Sequence, residues 1–577
     1  MKNKEIAEIL FAFSEFLAMT DEPFKPRAYE KAAEAIESFN DDIEVLYTEG
    51  GVKALESIPG IGKGIAAKIE EYLTCGKIKE YEKLKKKIPV HFEELRHVEG
   101  LGPKMIRALY EKLKVKNITD LKKAAELGKI RMLPHFGAKS EEKILKGIEF
   151  FENSSGRYLL GDVMPIARTF KDRISKLKSV EQVEVAGSLR RWQETIGDID
   201  LLVITHNAKE VMDFFVTQPE VKQIIARGET KSSIKLKSEI NVDVRVIPKE
   251  SYGAALQYFT GSKDHNVLVR VIASQKGFKL NEYGLYKGKK LIASASEESI
   301  YKALKLSMPI PELRQGKDEL KVKYKNIIDY DDVRGDLQTQ TDWTDGADSI
   351  EDMVHEAEKL GHEYIAITDH TRSLAMTGGS DEKKLRRQMR DIDRIQKKFK
   401  KIKILKGAEV NILKDGTLDI DDKTLVMLDV VGAAVHSNFN LSIEDQTARI
   451  MRAMSNPHVD ILFHPTGRVL HKREPYRVDI VRVLRHARET HTIMEIDAHP
   501  YRLDLKDEHI RMGAQEGVWF SIDTDAHRVA QLSFLEYGIG QARRAGLSRH
   551  SVINTLGLGA LMKFLKTPKE KRKLLAL

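Results

Sequence analysis

Two sets of side chains in this sequence have the types and spacing for metal-assisted chemistry. The first is Asp198-Ile199-Asp200 with Asp243 downstream, in Asn241-Val242-Asp243-Val244-Arg245. Residues i and i+2 of a strand face the same way, so Asp198 and Asp200 project into one cleft, and a neighbouring strand would bring Asp243 beside them. Three adjacent carboxylates repel one another unless divalent cations neutralise them. Two Mg²⁺ ions roughly 3.5–4 Å apart could lower the pKa of an attacking 3′-hydroxyl and hold a triphosphate for in-line displacement. An Asp-x-Asp alone is commonly a solvated turn. Here Gly187-Ser188 with Arg190 and Arg191 precedes it, offering backbone donors and guanidinium groups for β and γ phosphates.

The second set is Asp345, His370, Glu409, His436, His464, Asp525 and His527. A lone histidine is usually a hydrogen-bonded core or surface residue. These residues, however, stand in the contexts Thr368-Asp369-His370, Gly407-Ala408-Glu409, Val435-His436-Ser437, Phe463-His464-Pro465 and Thr524-Asp525-Ala526-His527, each just after a candidate strand. Imidazole and carboxylate ligands without thiols suit Zn²⁺ or Mn²⁺, and a metal-bound hydroxide held there could attack a phosphodiester.

The elements that position both sets follow from apolar periodicity. Val180 to Val185, Ile199 to Ile204 and Val242 to Ile247 are short β-branched stretches between helical segments, predicting a mixed sheet carrying helices. Tyr364 to Thr368, Ile402 to Ala408, Val430 to Val435, Ile461 to Phe463, Ile493 to Ile496 and Trp519 to Ile522 are later strand candidates. A closed β/α barrel presents its active site in this way, from the carboxyl ends of its strands. Between the two regions, Ser307 to Asp336 reads as a linker, with prolines near its start and runs of lysine and aspartate.

The N-terminal part is helical, with Pro23 and Pro26 breaking Glu5 to Phe39 into two helices. Ile58-Pro59-Gly60-Ile61-Gly62 then precedes a helical pattern, Val98-Glu99-Gly100-Leu101-Gly102 precedes another, and Leu133-Pro134-His135-Phe136-Gly137 is a weaker third copy. Glycines at a hairpin allow backbone N–H groups at a helix N-terminus to approach a phosphate, a contact that reads no base.

A length of 577 residues implies several cores, and 41% hydrophobic with 32% charged residues is the composition of a soluble globular protein. Lysine and arginine outnumber aspartate and glutamate by 96 to 87, a formal charge of +9 that suits a polyanionic partner. The single cysteine, Cys75, excludes an intramolecular disulfide or a thiolate metal cage. No apolar run approaches the roughly 20 residues of a membrane span, and the N-terminal Met-Lys-Asn-Lys-Glu opens an amphipathic helix instead of a signal peptide. A cytoplasmic, nucleoid-associated location is expected.

The run from Gly187 to Asp200, Gly-Ser-Leu-Arg-Arg-Trp-Gln-Glu-Thr-Ile-Gly-Asp-Ile-Asp, resembles the signature of family X DNA polymerases. So do Tyr258-Phe259-Thr260-Gly261-Ser262 with Asn266 and the stretch from Phe278 to Glu282-Tyr283. The contexts of the second set are similar to those of the PHP domain, which prokaryotic members of the family carry at the C-terminus. The resemblance implies a multidomain chain: a helical helix-hairpin-helix domain, an α+β nucleotidyltransferase-type polymerase core, and a C-terminal distorted (β/α)7 PHP barrel. The boundaries it implies are 1–85 for a lyase-like domain, 86–155 for fingers, 156–248 for the palm, 249–315 for the thumb, 316–333 for a linker and 334–577 for the barrel.

It also implies roles. Asp198, Asp200 and Asp243 would hold Mg²⁺ or Mn²⁺. Ser188, Arg191, Gly197, Tyr258, Phe259, Gly261 and Asn266 would form the nucleotide pocket, and Gly60, Gly62, Gly100 and Gly102 would lie against DNA. Lys68 stands where repair members place a Schiff-base lysine, with Lys25 and Tyr29 as 5′-phosphate contacts, although Gly64 replaces a second lysine there. One departure concerns the barrel. Its first strand should end in His-x-His, whereas this chain has Gln338 and Gln340, and His499 stands where asparagine is usual. A neutral amide oxygen is a poor replacement for imidazole on Zn²⁺ or Mn²⁺, so at least one metal position should be emptied or weakened.

The expectation is a monomeric, template-directed DNA polymerase that fills short gaps in repair, acting on gapped or primer-template DNA and deoxynucleoside triphosphates away from membranes, with the PHP nuclease reduced or lost. Two alternatives stand beside it. One is a PHP-type 3′–5′ exonuclease or abasic-site endonuclease as the main activity, and the other is a non-catalytic DNA-binding scaffold.

Overall fold

The computed structural model describes the whole chain except Met1, Asp21 to Phe24, Ser38, Asn40, Asp41, Pro59, His97, Glu99, Gly100, His135, Ser155, Ala375, Met376 and Leu574 to Leu577. Two compact units emerge, Met1–Ser155 and the bulk of the chain from Gly156 onward.

The first unit is helical. Ile6, Leu10, Phe13 and Leu17 recur at helical spacing and are buried along one face of Lys2–Ala18, against Lys25–Glu37 and the helices beyond. Helix Lys63–Cys75 starts at Gly62, and Pro103–Leu113 starts at Gly102, each without a side-chain cap, so first-turn N–H groups point outward from the chain. A second apolar core gathers Leu95, Val98, Ile106, Leu109 and Leu121. Ala138–Ser154 follows the third hairpin copy, whose His135 lies outside the described residues, as do Gly100 and Pro23.

The second unit begins with a five-stranded mixed sheet in the order Val180–Val185, Asp198–Thr205, Asn241–Val246, Lys231–Leu236, Val221–Arg227. Alternation sorts its central strand. Ile199, Leu201 and Val203 join the core beneath helices Leu160–Ser175 and Ala208–Val216, and Leu202 joins a smaller cluster with Ala255 and Leu256. Asp198 and Asp200 share Leu202's face, away from those helices. Helices Tyr252–Thr260 and Lys263–Gln275 follow, then a three-stranded antiparallel sheet and helix Glu297–Ala303.

Seven parallel strands build the remainder in sequential order: Gly335–Thr339, Tyr364–Ile367, Lys403–Asn411, Val430–Ala434, Ile461–Leu462, Ile493–Asp497 and Phe520–Asp523. A parallel bridge between Thr339 and Ala526 brings the last strand back to the first, so the barrel is nearly closed. Almost every strand residue is buried, because the strands have side chains on one face and helices on the other. Six of the strands were legible in sequence; the first, Gly335–Thr339, was recognised only through the family resemblance.

The segment from Ser307 to Asp336, expected to be a linker, is held in place by buried side chains. Arg314 is fully buried, Ile328 enters the barrel core, and Ile327 pairs with Ser548. Several of its aspartates are tied to barrel arginines, Asp318 to Arg511 at 3.3 Å, Asp329 to Arg543 at 3.0 Å and Asp332 to Arg549 at 3.3 Å.

Candidate functional site

Asp200 and Asp243 are register partners on adjacent parallel strands, and Asp198 lies two residues before Asp200 on the same face. The three predicted carboxylates therefore converge. They stay more spread than the tightest ligand groups of the described residues, with Lys231 Nζ 2.7 Å from Asp243 Oδ2. Burial, then Asp198 and Asp243, push the Asp200 carboxyl up to about 7, while Arg245 and Lys231 oppose the rise. Burial and Asp243 likewise raise Asp198. Carboxylates held above their ordinary range by one another are what a divalent cation relieves, so this donor set fits Mg²⁺ or Mn²⁺.

The turn expected to hold phosphates closes over this cleft. Gly187 has φ 64°, and a Cβ there would stand 2.6 Å from Asp200 Oδ2, so only glycine lets the turn approach the carboxylate. Helix Gly187–Arg190 carries Ser188 and ends in two arginines. Arg190 donates to Thr260 Oγ1 at 2.6 Å and pairs with Glu297 at 2.8 Å. Arg191 donates to the Thr260 carbonyl, with Nη1 over Gly261, where a Cβ would come within 3.0 Å. Its Nε is buried without a hydrogen-bond partner, and burial together with Arg544, Arg157 and Arg314 lowers the guanidinium to about 10. A half-buried guanidinium among other cations, with Asp200 as its nearby carboxylate, has the charge to attract an anion. Gly197 lies at the base of the cleft, 3.7 Å from Arg157 Nη1 as judged from an ideal Cβ.

Tyr258, Phe259, Gly261 and Asn266, expected to form a nucleotide pocket, cluster around the end of helix Tyr252–Thr260. Tyr258 and Phe259 meet edge-on at 5.1 Å, and the Arg245 guanidinium stands 4.6 Å over the Phe259 ring. Asn266 accepts from Gln257 and donates to the Tyr258 carbonyl, both at 2.7 Å, which fixes its amide.

In the first unit, Lys68 Nζ lies 3.0 Å from Glu80 and 3.6 Å from Glu71. Tyr29 is buried edge-on to Phe13 at 4.7 Å, and burial pushes its phenol up to about 12. Lys25 opens the helix that carries Tyr29.

The barrel brings all seven predicted ligands to one end. Asp345 Oδ2 lies 3.5 Å from His370 Nε2 and 3.7 Å from His527 Nε2. His527 Nδ1 is 2.8 Å from the Asp525 carbonyl, and His436 Nδ1 is 2.8 Å from Asn411 Oδ1; these contacts turn both Nε2 atoms inward. His464 and Asp525 have left-handed backbones, φ 29° and 51°, a strain of about 1–3 kcal/mol each that is held where ligands must be aimed. Two triplets have donor atoms within 4.8 Å of one another, Asp345/His370/His527 and His370/Glu409/His436.

The glutamines change the second triplet. Gln338 and Gln340 donate from Nε2 to Glu409 Oε2 at 3.0 and 2.7 Å. His436 and His464 approach Glu409 Oε1 at 2.9 and 2.8 Å. Glu409 is fully buried, and although burial works to raise it, His370, His436 and His464 hold it well below the usual carboxylate range. A carboxylate has about four lone-pair sites, and here four side-chain nitrogens face them. Among the described residues both triplets keep the donors for a divalent cation, and in the second Glu409 also accepts the two glutamine amides.

Several functional neighbours were missed in sequence. Arg502 Nε stands 3.6 Å from Asp497 and 3.5 Å from Asp525, placing a guanidinium among the barrel carboxylates. Its only local signal was its place just past a strand end. His499 is no ligand of either triplet. Its ring packs on Tyr501 and Phe534, and burial lowers it to about 4. Asn411, two residues past Glu409 on one strand, orients His436.

Family models match four segments: a helix-hairpin-helix domain over residues 1–78, a SAM-like helix-hairpin-helix tandem over 92–149, a DNA polymerase beta thumb over 255–315 and a PHP domain over 336–499. The DNA polymerase/3′-5′ exonuclease PolX of Bacillus subtilis (strain 168) is 36% identical over 573 residues, covering 98% of this chain and all of that one. A probable phosphatase of Thermoanaerobacter sp. (strain X514) is 31% identical over 233 residues, 39% of this chain and 90% of its own. A probable phosphatase of Caldanaerobacter subterraneus subsp. tengcongensis is 29% identical over 217 residues, 36% of this chain and 81% of its own. No helix among the described residues is long and apolar enough to cross a membrane. Hairpin helices, a carboxylate cleft beneath a phosphate turn, a seven-stranded barrel and a full-length relative all agree, and the chain belongs to the prokaryotic family X DNA polymerases with a C-terminal PHP domain, enzymes of the nucleotidyltransferase class.

Proposed function

We propose that this polymerase fills short gaps in DNA by template-directed nucleotide addition, and that its barrel has lost most or all nuclease activity. The observation that carries the first part is the pairing of Asp200 with Asp243 beneath the Gly187 turn, with the half-buried Arg191 guanidinium beside it among other cations. In this reading Asp198, Asp200 and Asp243 hold two divalent cations, Mg²⁺ or Mn²⁺, which would activate the primer 3′-hydroxyl and neutralise the triphosphate. Arg191 and Ser188 hold the phosphates. Tyr258 and Phe259 wall the sugar side, where their bulk excludes a ribose 2′-hydroxyl, and Asn266 keeps the Tyr258 backbone in place.

The hairpins hold the flanking duplex. An ideal Cβ at Gly62 or Gly102 meets nothing within 4 Å, so the fold itself does not demand glycine there. A close approach from outside does, which suits a sugar-phosphate backbone at uncapped helix starts. The boundaries proposed for these parts are those of the sequence reading.

Loss of nuclease activity rests on Gln338 and Gln340. Their amides supply hydrogen bonds to Glu409 where imidazoles at these positions could themselves hold a metal ion and leave the carboxylate free to do so. The remaining Asp345/His370/His527 triplet favours, as a second reading, a weak single-metal phosphoesterase, in keeping with the phosphatase relatives of the barrel. Primer extension on a 5′-phosphorylated one-nucleotide gap, with each deoxynucleotide in turn, tests the first part. Incorporation of the complementary nucleotide alone supports it, and indifference to the template base would overturn it. A 3′-labelled primer incubated in Mn²⁺ tests the second part, where rapid shortening abolished by His436→Ala would refute the loss.

A further inference from the structure

The phosphate turn is held from two sides, and one of them is the barrel. Arg190 and Arg191 reach Thr260 and Glu297 on the polymerase side. The next residues turn the other way. Trp192, at φ 50°, lays its indole against Gly540, so closely that a Cβ there would lie 2.8 Å from the ring, and packs on Tyr537 at 5.8 Å. Glu194 is then met by Arg468 through both carboxylate oxygens, at 2.7 and 3.3 Å, and by Gln541 at 2.7 Å. Arg544 stands 3.9 Å away.

This contact is built for charge. Burial would raise the Glu194 carboxyl, but Arg468 and Arg544 bring it down to about 2, and Arg468 is itself buried. The same Arg544 charge bears on Arg191. Glu194, three residues from Arg191, therefore ties the turn to the barrel through Arg468 and Gln541. A bidentate Arg–carboxylate pair fixes orientation as well as distance, and small misplacements at a reacting site are costly in rate.

We propose that the PHP barrel positions the polymerase's triphosphate-binding turn through Glu194, clamped by Arg468 and Gln541, and that this is a role the barrel keeps irrespective of its metal chemistry. Glu194 is a positioning residue in this scheme, and the inference rests on the reading of Arg191 as a triphosphate contact. Full-length Glu194→Ala and Arg468→Met should each raise the KM for the incoming nucleotide about tenfold, with kcat changed much less and affinity for gapped DNA unaltered. Gln541→Leu should give a smaller shift in the same direction and serves if either charged variant fails to fold, as judged by circular dichroism. Arg168→Ala removes a separate palm–barrel ion pair, with Glu536 at 2.7 Å, and should leave the nucleotide KM unchanged.

An unchanged nucleotide KM in the folded Glu194, Arg468 and Gln541 variants overturns the proposal, as does an equal rise in Arg168→Ala, which would mean generic docking. Arg191→Ala separates the two levels. If it raises the nucleotide KM while the clamp variants do not, only the positioning role falls. If it does not, the triphosphate reading itself is wrong.

Discussion

Asp200→Asn should stabilise the cation-free protein while removing nucleotide addition. Asp200 is mostly buried on a face shared with two other carboxylates, and its carboxyl is pushed from 3.8 up to about 7. The sign is the reverse of the common salt-bridged aspartate. With the folded value above the unfolded one, the native state binds the extra proton between these values, so stability falls as pH rises through the interval. Between pH 3.8 and 7 the loss amounts to about 4 kcal/mol, and it stays near that value at pH 8. An asparagine keeps the shape and removes the charge.

Unfolding entropy of about 2.1 cal/mol/K per residue, over a second unit of roughly 420 residues, converts this into a rise in Tm of about 4–5 °C. The assay is calorimetry in EDTA at pH 8 and again at pH 5, where the advantage should shrink to about 2 kcal/mol because wild-type Asp200 is then protonated when folded. Saturating Mg²⁺ should raise the wild-type Tm and leave the variant nearly unmoved. If Asp200→Asn were no more stable than wild type at pH 8, or if the difference did not change with pH, the three carboxylates would not be in mutual repulsion and the cation-site argument would fail.

Restoring histidine at both Gln338 and Gln340 should free Glu409 from amide donors and create a tighter metal site, measured as a gain in bound Mn²⁺ or Zn²⁺ per chain and as Mn²⁺-dependent primer degradation absent from wild type. Metal content equal to wild type would argue that the glutamines are not what limits the barrel. Tyr258→Ala should admit ribonucleotides, with discrimination against them falling by about 10–200-fold, the scale of a lost steric contact; competitive incorporation of a ribonucleotide and its deoxy counterpart measures it. Gly62→Ala and Gly102→Ala should each cost no more than about 1 kcal/mol, the lost preference for glycine over alanine at a helix N-cap, since the space is open, yet weaken binding of gapped duplex severalfold in fluorescence anisotropy. Unaltered affinity in both would remove these hairpins from the DNA interface.

What sequence alone determined here was local. The shared face of Asp198 and Asp200 follows from strand alternation, and the barrel ligands other than Asp345 were legible because each falls at or just after the end of an apolar strand candidate, the place where parallel strands present side chains. The hairpin glycines announced themselves by repetition. The substitution of Gln338 and Gln340 was visible too, but its consequence was not, because it depends on Glu409, some 70 residues later, accepting both amides. Sequence put Asp243 on a neighbouring strand, but its register against Asp200 took the parallel pairing of two strands separated by a helix and a hairpin. The ion pair between Glu194 and Arg468 spans 274 residues, and Arg502 enters the barrel carboxylates from a loop with no motif of its own. Charged residues carry no periodicity that reveals a partner. A carboxylate bound for solvent and one bound for a buried guanidinium read alike until the chain folds and desolvation decides between them.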